Sequence, residues 1–325
     1  MIEPPHGAAV GAAPAAFQRA GPQPRLTDAE RRSRARGYRV RRTLVAYAFL
    51  APNLIFFFLF LLLPCAWVLY ATLQNGGVLG PATFVGLENW RSAFADPLLR
   101  TAMQNTFYYG VLAVPAVFVI GMALALFLVN IQRGGAVIRS ILYFPTLTPV
   151  VLAALMWLFV VHPDFGILNL GLRALGIGPV NWLGSTRLAL PTIAMLEVWR
   201  GTGFWTLLFL AALLSIPAEL YQAAHLDGAN AWQRFRHLTL PLLRPTFLFA
   251  VVMATIWNLQ LFDSVYVMTD GGPVHSTATV VWYVYKSLFQ FGSVGFAATL
   301  SFVLMLVILV LTLVELRVLR LRRTG

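Results

Sequence analysis

The sequence predicts an all-α, polytopic membrane protein with six transmembrane helices and cytoplasmic N- and C-termini. Three observations carry this. First, 59% of the 325 residues are hydrophobic and 11% are charged, with a mean hydropathy of +0.74, whereas a soluble domain is about 25% charged. Second, apolar runs long enough to cross a bilayer recur six times. Third, the arginines gather beside those runs. The net charge of +12 would suit nucleic acid, but arginines that flank apolar runs without interleaved aromatics exclude that partner and point to membrane lipid. A lone Cys65 allows no intrachain disulfide or thiolate metal cluster. The five histidines (His6, His162, His225, His237, His275) have no i,i+4 pair among them, so no metal site is expected.

The elements follow in order. Residues 1–25 are Ala/Pro/Gly-rich without apolar periodicity and read as a disordered tail. Residues 26–43 contain "RRSRARGYRVRR", and Thr27 with Glu30 forms a capping box, so a short basic juxtamembrane helix on the membrane surface is expected. The charged lead-in is long and no A-x-A site follows the first apolar run, which predicts a retained anchor. One membrane domain then covers 44–320. Its spans are Leu44 to Leu73, Thr106 to Val129, Ala136 to Val161, Leu188 to Leu214, Thr246 to Met268 and Phe296 to Val314, each near the roughly 20 residues that a bilayer core requires. Pro52, Pro64, Pro115, Pro145 and Pro149 interrupt them. Each removes a helix hydrogen bond that neighbours or water must replace, as in helices lining a wet cavity, though structural kinks arise the same way.

Arginine placement sets the orientation. With the N-terminus inside, the inner segments hold 18 Lys/Arg and the outer ones 5, Arg200 lying within a span. The outer connections are too short for an independent domain. The inner loop 218–241, "AELYQAAHLDGANAWQRFRHLTLP", reads as a helix, a turn at Asp227–Gly228 and a second helix from Ala229 to Leu238. Its small-residue face with basic edges suits docking of a soluble partner; an interfacial connector is the plainer alternative.

Ionisable and amide groups inside spans are costly and therefore functional candidates. Glu197 and Arg200 share a helical face and suit mutual pairing, either as a neutral structural pair or as part of a solute path. Asn258, Gln260 and Asp263, with Trp257 and Phe262 beside them, offer the amides, carboxylate and ring faces that hydroxyl-rich ligands need. No lysine follows a glycine-rich loop, since the single Lys286 sits in "VWYVYKS". That excludes a P-loop ATPase, so energy comes from a partner or an ion gradient. Self-contained secondary transport would call for inverted repeats and a chain of membrane carboxylates; neither stands out.

The stretch "QAAHLDGANAWQRFRHLTLP" resembles the cytoplasmic loop of ABC importer permeases, usually E-A-A-x-x-D-G-A followed by I/L-x-L-P. "FVGLENWRSAFADP", "YFPTLTPVVLAALMW", "VWRGTGF", "FDSVYVMTDGGP" and "FQFGSVGFAATLS" follow the same family in order, from about Leu44 to Arg320, and are similar to its carbohydrate-uptake branch of maltose and glycerol-3-phosphate type. The resemblance implies a second homologous permease subunit, two cytoplasmic ATPase subunits carrying ATP and Mg, and an extracytoplasmic solute-binding protein. This chain itself would be no enzyme and hold no cofactor. It further implies that Gln222, Ala223, Ala224, Asp227, Gly228 and Ala229 couple to the ATPase. Glu197, Arg200, Asn258, Gln260, Phe262 and Asp263 would line the substrate pathway, and Thr269, Asp270, Gly271, Gly272 and Pro273 would meet the binding protein. Two departures stand out: Gln222 replaces the usual Glu, and Asp270 replaces a Gly, adding a charge at the docking loop.

Overall fold

The computed structural model describes residues 28–76, 80–131 and 133–321. The expected tail 1–25 and the Thr27 cap lie outside them. The chain divides into two units, residues 1–64 and 65–325.

In the first unit the basic segment expected as a separate helix over 26–43 continues unbroken into the first span: α1 is Asp28–Phe57, followed by a π-helical turn, Phe58–Leu62. From Leu44 to Leu63 its large apolar side chains are exposed, as lipid-facing residues are. The candidate span here is Arg41–Ala71, ending in α2, Leu63–Ala71.

The second unit opens with a two-residue antiparallel pairing of β1 (Gln74–Asn75) with β2 (Thr83–Phe84), then α3, Glu88–Ala95. α4, Pro97–Leu128, starts where the sequence supplies both signals: Asp96 accepts from the Leu98 amide at 2.8 Å and proline fills the first helical position. α5 (Gly135–Leu147) and α6 (Val150–Val160) meet at a 97° bend at Thr148–Pro149 and are together long and apolar enough for one span. α7 is Ile167–Ala174, and α8, Ala189–Leu214, has 26 residues. α9 (Ala218–Leu226), α10 (Ala231–Arg234), a π-helical turn (Phe235–Thr239) and α11 (Leu240–Leu242) form the hairpin. α12 (Arg244–Leu259) breaks at Gln260–Phe262 before α13, Asp263–Met268. α14 (Val280–Tyr285), a third π-helical turn (Lys286–Gln290) and α15 (Val294–Leu321) complete the chain. Among the described residues four helical stretches are long and apolar enough to cross a membrane, or up to six if each bent pair counts once. The count reaches the expected six only if the bent pairs α5–α6 (97°) and α8–α9 (70°) each make one span, and the expected fifth span is interrupted at Gln260–Phe262.

Within lipid, apolar side chains gain little by leaving their surroundings, so helix association rests on close packing. α4 and α8 form the most extensive pair. α5 reaches α8 through Gly203, where an added Cβ would stand 2.2 Å from the Leu142 carbonyl oxygen. Two buried clusters result. One holds Tyr109, Leu190, Leu196, Leu259 and Trp282; the other holds Val117, Phe118, Trp205, Phe209 and Ala254. They divide between Ala113 and Val117 along α4, Leu196 and Trp205 along α8, and Ala254 and Leu259 along α12.

Candidate functional site

Near that division lies a small cavity, about 140 Å³, lined by Tyr109, Val150, Glu197, Arg200 and the continuous stretch Trp257–Ser264 apart from Leu259. All six residues expected on the pathway face it. Two are contributed by α8, Asn258 lies near the end of α12, Gln260 and Phe262 lie in the break, and Asp263 opens α13. Tyr109 and Val150 join them from α4 and from the bend between α5 and α6, and no polar or charge signal in the sequence marked either.

Helix breaks free backbone groups that lipid cannot satisfy, and side chains here take them. The Thr279 hydroxyl donates to the freed Leu261 carbonyl at 2.8 Å; separately, the Thr146 hydroxyl ties α5 to the Arg200 carbonyl within α8 at 2.7 Å. Arg200 and Glu197 pair as expected: Nε donates to Oε2 at 3.2 Å, and Nη2 donates to Oε1 at 3.2 Å and Oε2 at 3.0 Å. Asn258 is buried. Its Nδ2 donates to the Ala254 carbonyl at 2.8 Å, while its Oδ1 has no partner. A buried acceptor left unmade costs about 1–3 kcal/mol. Trp257 packs on Phe204 and Trp205, with ring centroids 5.5 and 5.8 Å apart, closing one wall with apolar rings.

The hairpin folds from local signals. α9 ends in a Schellman motif: the Ala229 amide donates to the Ala224 carbonyl at 3.0 Å, the Gly228 amide donates to the His225 carbonyl at 3.1 Å, and Gly228 has φ +78°. The second arm starts later than Ala229. Asn230 caps it, accepting from the Gln233 amide at 2.9 Å while Gln233 Oε1 accepts from the Asn230 amide at 2.8 Å. That arm is α-helical only over four residues before its π-helical turn. Tyr221 and Thr239 hydroxyls, 2.9 Å apart, tie the arms together. Gln222, Ala223, Asp227 and Gly228 are exposed, and Ala224 and Ala229 are half-buried. Leu226 (87% exposed) and Trp232 (65%) stand out into solvent beside them, an apolar pair that charge and small-residue spacing did not reveal.

The loop at Thr269–Pro273 is tightly tied. Thr269 and Thr277 hydroxyls lie 2.7 Å apart, the Thr277 hydroxyl donates to the Gly272 carbonyl at 2.8 Å, and Asn105 Nδ2 donates to the His275 and Ala278 carbonyls at 2.9 Å each. Asp270, expected as an added charge, accepts from Lys286 Nζ at 2.8 Å and from Trp282 Nε1 at 3.0 Å. Partial burial pushes its carboxyl up, but those two donors and the ammonium charge outweigh it and hold it below the usual carboxylate range. The single lysine, dismissed in the sequence for nucleotide binding, is thus buried as this aspartate's counter-ion. In the connection 163–187, buried Asn169 donates to the His162, Pro163 and Val180 carbonyls and accepts from the Val180 amide and the Trp182 indole.

Residues 117–323 match the family of binding-protein-dependent transport system inner membrane components. The trehalose/maltose transport system permease protein MalF of Thermococcus litoralis is 32% identical, covering 87% of this chain and 96% of its own. The sulfoquinovosyl glycerol transport system permease protein SmoG of Agrobacterium fabrum is 34% identical over 85% and 91%. The lactose transport system permease protein LacF of Rhizobium radiobacter is 34% identical over 83% and 92%. A crystal structure of a bacterial ABC transporter that imports the acidic polysaccharide alginate shares the fold, with a TM-score of 0.76 at 24% identity, covering 87% of this chain and 97% of that one. With its spans, its cavity and its hairpin in place, the chain belongs to the binding-protein-dependent transport system inner membrane components, as a multi-pass permease subunit of an ABC importer.

Proposed function

We propose that this permease subunit carries a sugar or related polyol across the membrane through the cavity at Glu197, Arg200 and the α12–α13 break. The observation that carries the reading is the convergence of Glu197, Arg200, Asn258, Gln260, Phe262 and Asp263 on one cavity, with a buried amide oxygen lacking a donor. Hydroxyls supply donors; ring faces such as Phe262 accept apolar sugar faces. The relatives named above transport trehalose and maltose, sulfoquinovosyl glycerol and lactose, all hydroxyl-rich. Glycerol-3-phosphate suits the site less well, because Glu197 already engages Nε and Nη2 of the one guanidinium in it.

Both termini and the hairpin 218–241 face the cytoplasm in this reading. Gln222 to Ala229, with Leu226 and Trp232, seat on one of two partner ATPase subunits, which bind ATP and Mg and perform hydrolysis. A second homologous permease completes the path. Thr269 to Pro273 meet the extracytoplasmic binding protein as a rigid contact, since Lys286 compensates Asp270. ATP binding closes the ATPase pair, the hairpin transmits that closure, and the cavity alternates between the two sides. The test is uptake of labelled sugars into proteoliposomes holding the whole complex. Uptake requires internal ATP, the binding protein and this chain; uptake that persists without ATP removes the reading.

A further inference from the structure

A groove of about 660 Å³ lies apart from the cavity, between the first turns of α4 and the facing side of α15. Leu99, Met103 and Phe107 of α4 recur at helical i, i+4 spacing along one wall, Val303 and Val307 of α15 do the same along the other, and Phe94 of α3 closes one end. Both long helices are candidate membrane spans, Pro97–Leu128 and Val294–Val318. The groove changes character along its length. It is polar where α4 begins, at Asp96 and Arg100, and apolar farther along, at Phe107 and Val307. The Asp96 carboxylate is already engaged: Oδ1 accepts from the Leu98 amide at 2.8 Å and Oδ2 accepts from the Tyr283 hydroxyl. The exposed Arg100 guanidinium has no ion-pair or hydrogen-bond partner among the described residues.

We propose that this groove binds a glycerophospholipid, its phosphate on the Arg100 guanidinium and one acyl chain laid along α4 past Met103 and Phe107. A guanidinium presents a fork of N–H donors that matches phosphate oxygens two at a time. A cationic side chain at the end of a span reaches the headgroup layer, and the apolar part of the groove runs from there along the span, as a lipid tail does. From Leu99 to Phe107 the wall is about 12 Å long at 1.5 Å per residue. A helix about 10 Å across would need about 900 Å³ over that length, more than the groove holds, whereas a slim acyl chain fits within it. A single unpaired cation at the head of an apolar recess matches a phosphate with a tail, and no carboxylate in the groove is free to replace that phosphate. The site bears on transport through α4 itself, since Phe107 faces the groove while Tyr109, on the opposite side of the same turn, lines the cavity.

The experiment is photolabelling of the reconstituted complex by phosphatidylglycerol that carries a diazirine on one acyl chain, with the labelled residues mapped by peptide mass spectrometry. Diacylglycerol with the same diazirine chain lacks the phosphate and serves as the control. Phosphatidylglycerol labels Met103, Phe107 and Val307, and diacylglycerol labels them about tenfold less. Arg100→Gln, at an exposed position, lowers labelling of the groove by phosphatidylglycerol about tenfold and leaves labelling of the exposed first span within twofold. Arg100→Lys keeps the charge without the fork and stays within about threefold of wild type. Equal labelling by the two lipids, or wild-type labelling in Arg100→Gln, overturns the site and leaves ordinary boundary lipid in its place. A groove labelled in the isolated chain but not in the complex overturns it in favour of a partner subunit, and a groove labelled in neither overturns it outright.

Discussion

At the scale of single residues, the two ion pairs differ in what they protect. Glu197 and Arg200 keep 29% and 21% of their side chains exposed in a span, so stranding the carboxylate costs less than the about 3–5 kcal/mol of a fully buried pair. Arg200→Ala therefore destabilises the protein by about 1–3 kcal/mol and cuts uptake at least tenfold. Glu197→Gln with Arg200→Met restores thermal stability but not uptake, as unfolding in detergent and transport assays measure side by side. Asp270 is more open, and its pair with Lys286 contributes of order 0.2–1 kcal/mol after solvent screening. Its carboxyl is held below the usual range in the folded state. The contribution is thus complete above the ordinary carboxylate range and lost as pH falls through the lowered value. Asp270→Asn lowers the unfolding temperature at neutral pH, and the gap from wild type closes in acid; a gap independent of pH removes the ion pair as its cause. Glu197, Arg200, Asn258, Gln260 and Asp263 were legible as candidates for one cavity because charge and amide groups are conspicuous in an apolar run. Tyr109, Val150 and Thr146 were not, because apolar residues and a threonine are ordinary in a membrane helix and only the fold brings them to the site. Lys286 was visible, but its partner is 16 positions away in sequence, beyond any helical spacing rule.

At the scale of elements, the close approach of α5 to α8 is a backbone matter. A Cβ at Gly203 would overlap the Leu142 carbonyl, whereas one at Gly201 would meet only side chains at ordinary contact distance, Glu197 at 3.4 Å, Val117 at 3.6 Å and Trp205 at 3.8 Å. Gly203→Ala costs about 1–3 kcal/mol by overpacking and reduces recovery of folded protein; Gly201→Ala is tolerated. Equal recovery of the two would mean that the helices separate freely. In the hairpin, Gly228 holds φ +78° with open space around it, so Gly228→Val costs about 1–2 kcal/mol in backbone strain alone. The spans still insert, but hydrolysis stimulated by the binding protein is lost with transport. Full stimulation in that variant would make the hairpin a mere connector. The turn at Asp227–Gly228 was readable because a helix-ending glycine has a fixed position. The start of the second arm was misplaced by treating Ala229 as helical, when Asn230 and Gln233 already spell a capping box. Apolar length marked the candidate spans, yet the 97° bend and the break at Gln260–Phe262 were not legible, since proline marks where hydrogen bonds are lost and not how far a helix turns.

At the scale of the whole molecule, the account rests on separate functions at separate places: a solute path near where the two packed clusters divide, and a coupling surface on an exposed hairpin. If so, damage to the path leaves the engine intact. Asn258→Leu keeps the size of the side chain and removes both the orphaned acceptor and its hydrogen-bonding capacity toward solute. The measurement is solute uptake and ATP hydrolysis in the same preparation of reconstituted wild-type and Asn258→Leu complexes, each with loaded binding protein. The account predicts uptake reduced about tenfold, the equivalent of about 1.4 kcal/mol, with stimulated hydrolysis within twofold of wild type. Wild-type uptake in Asn258→Leu, with hydrolysis unchanged, would contradict it and place the solute elsewhere.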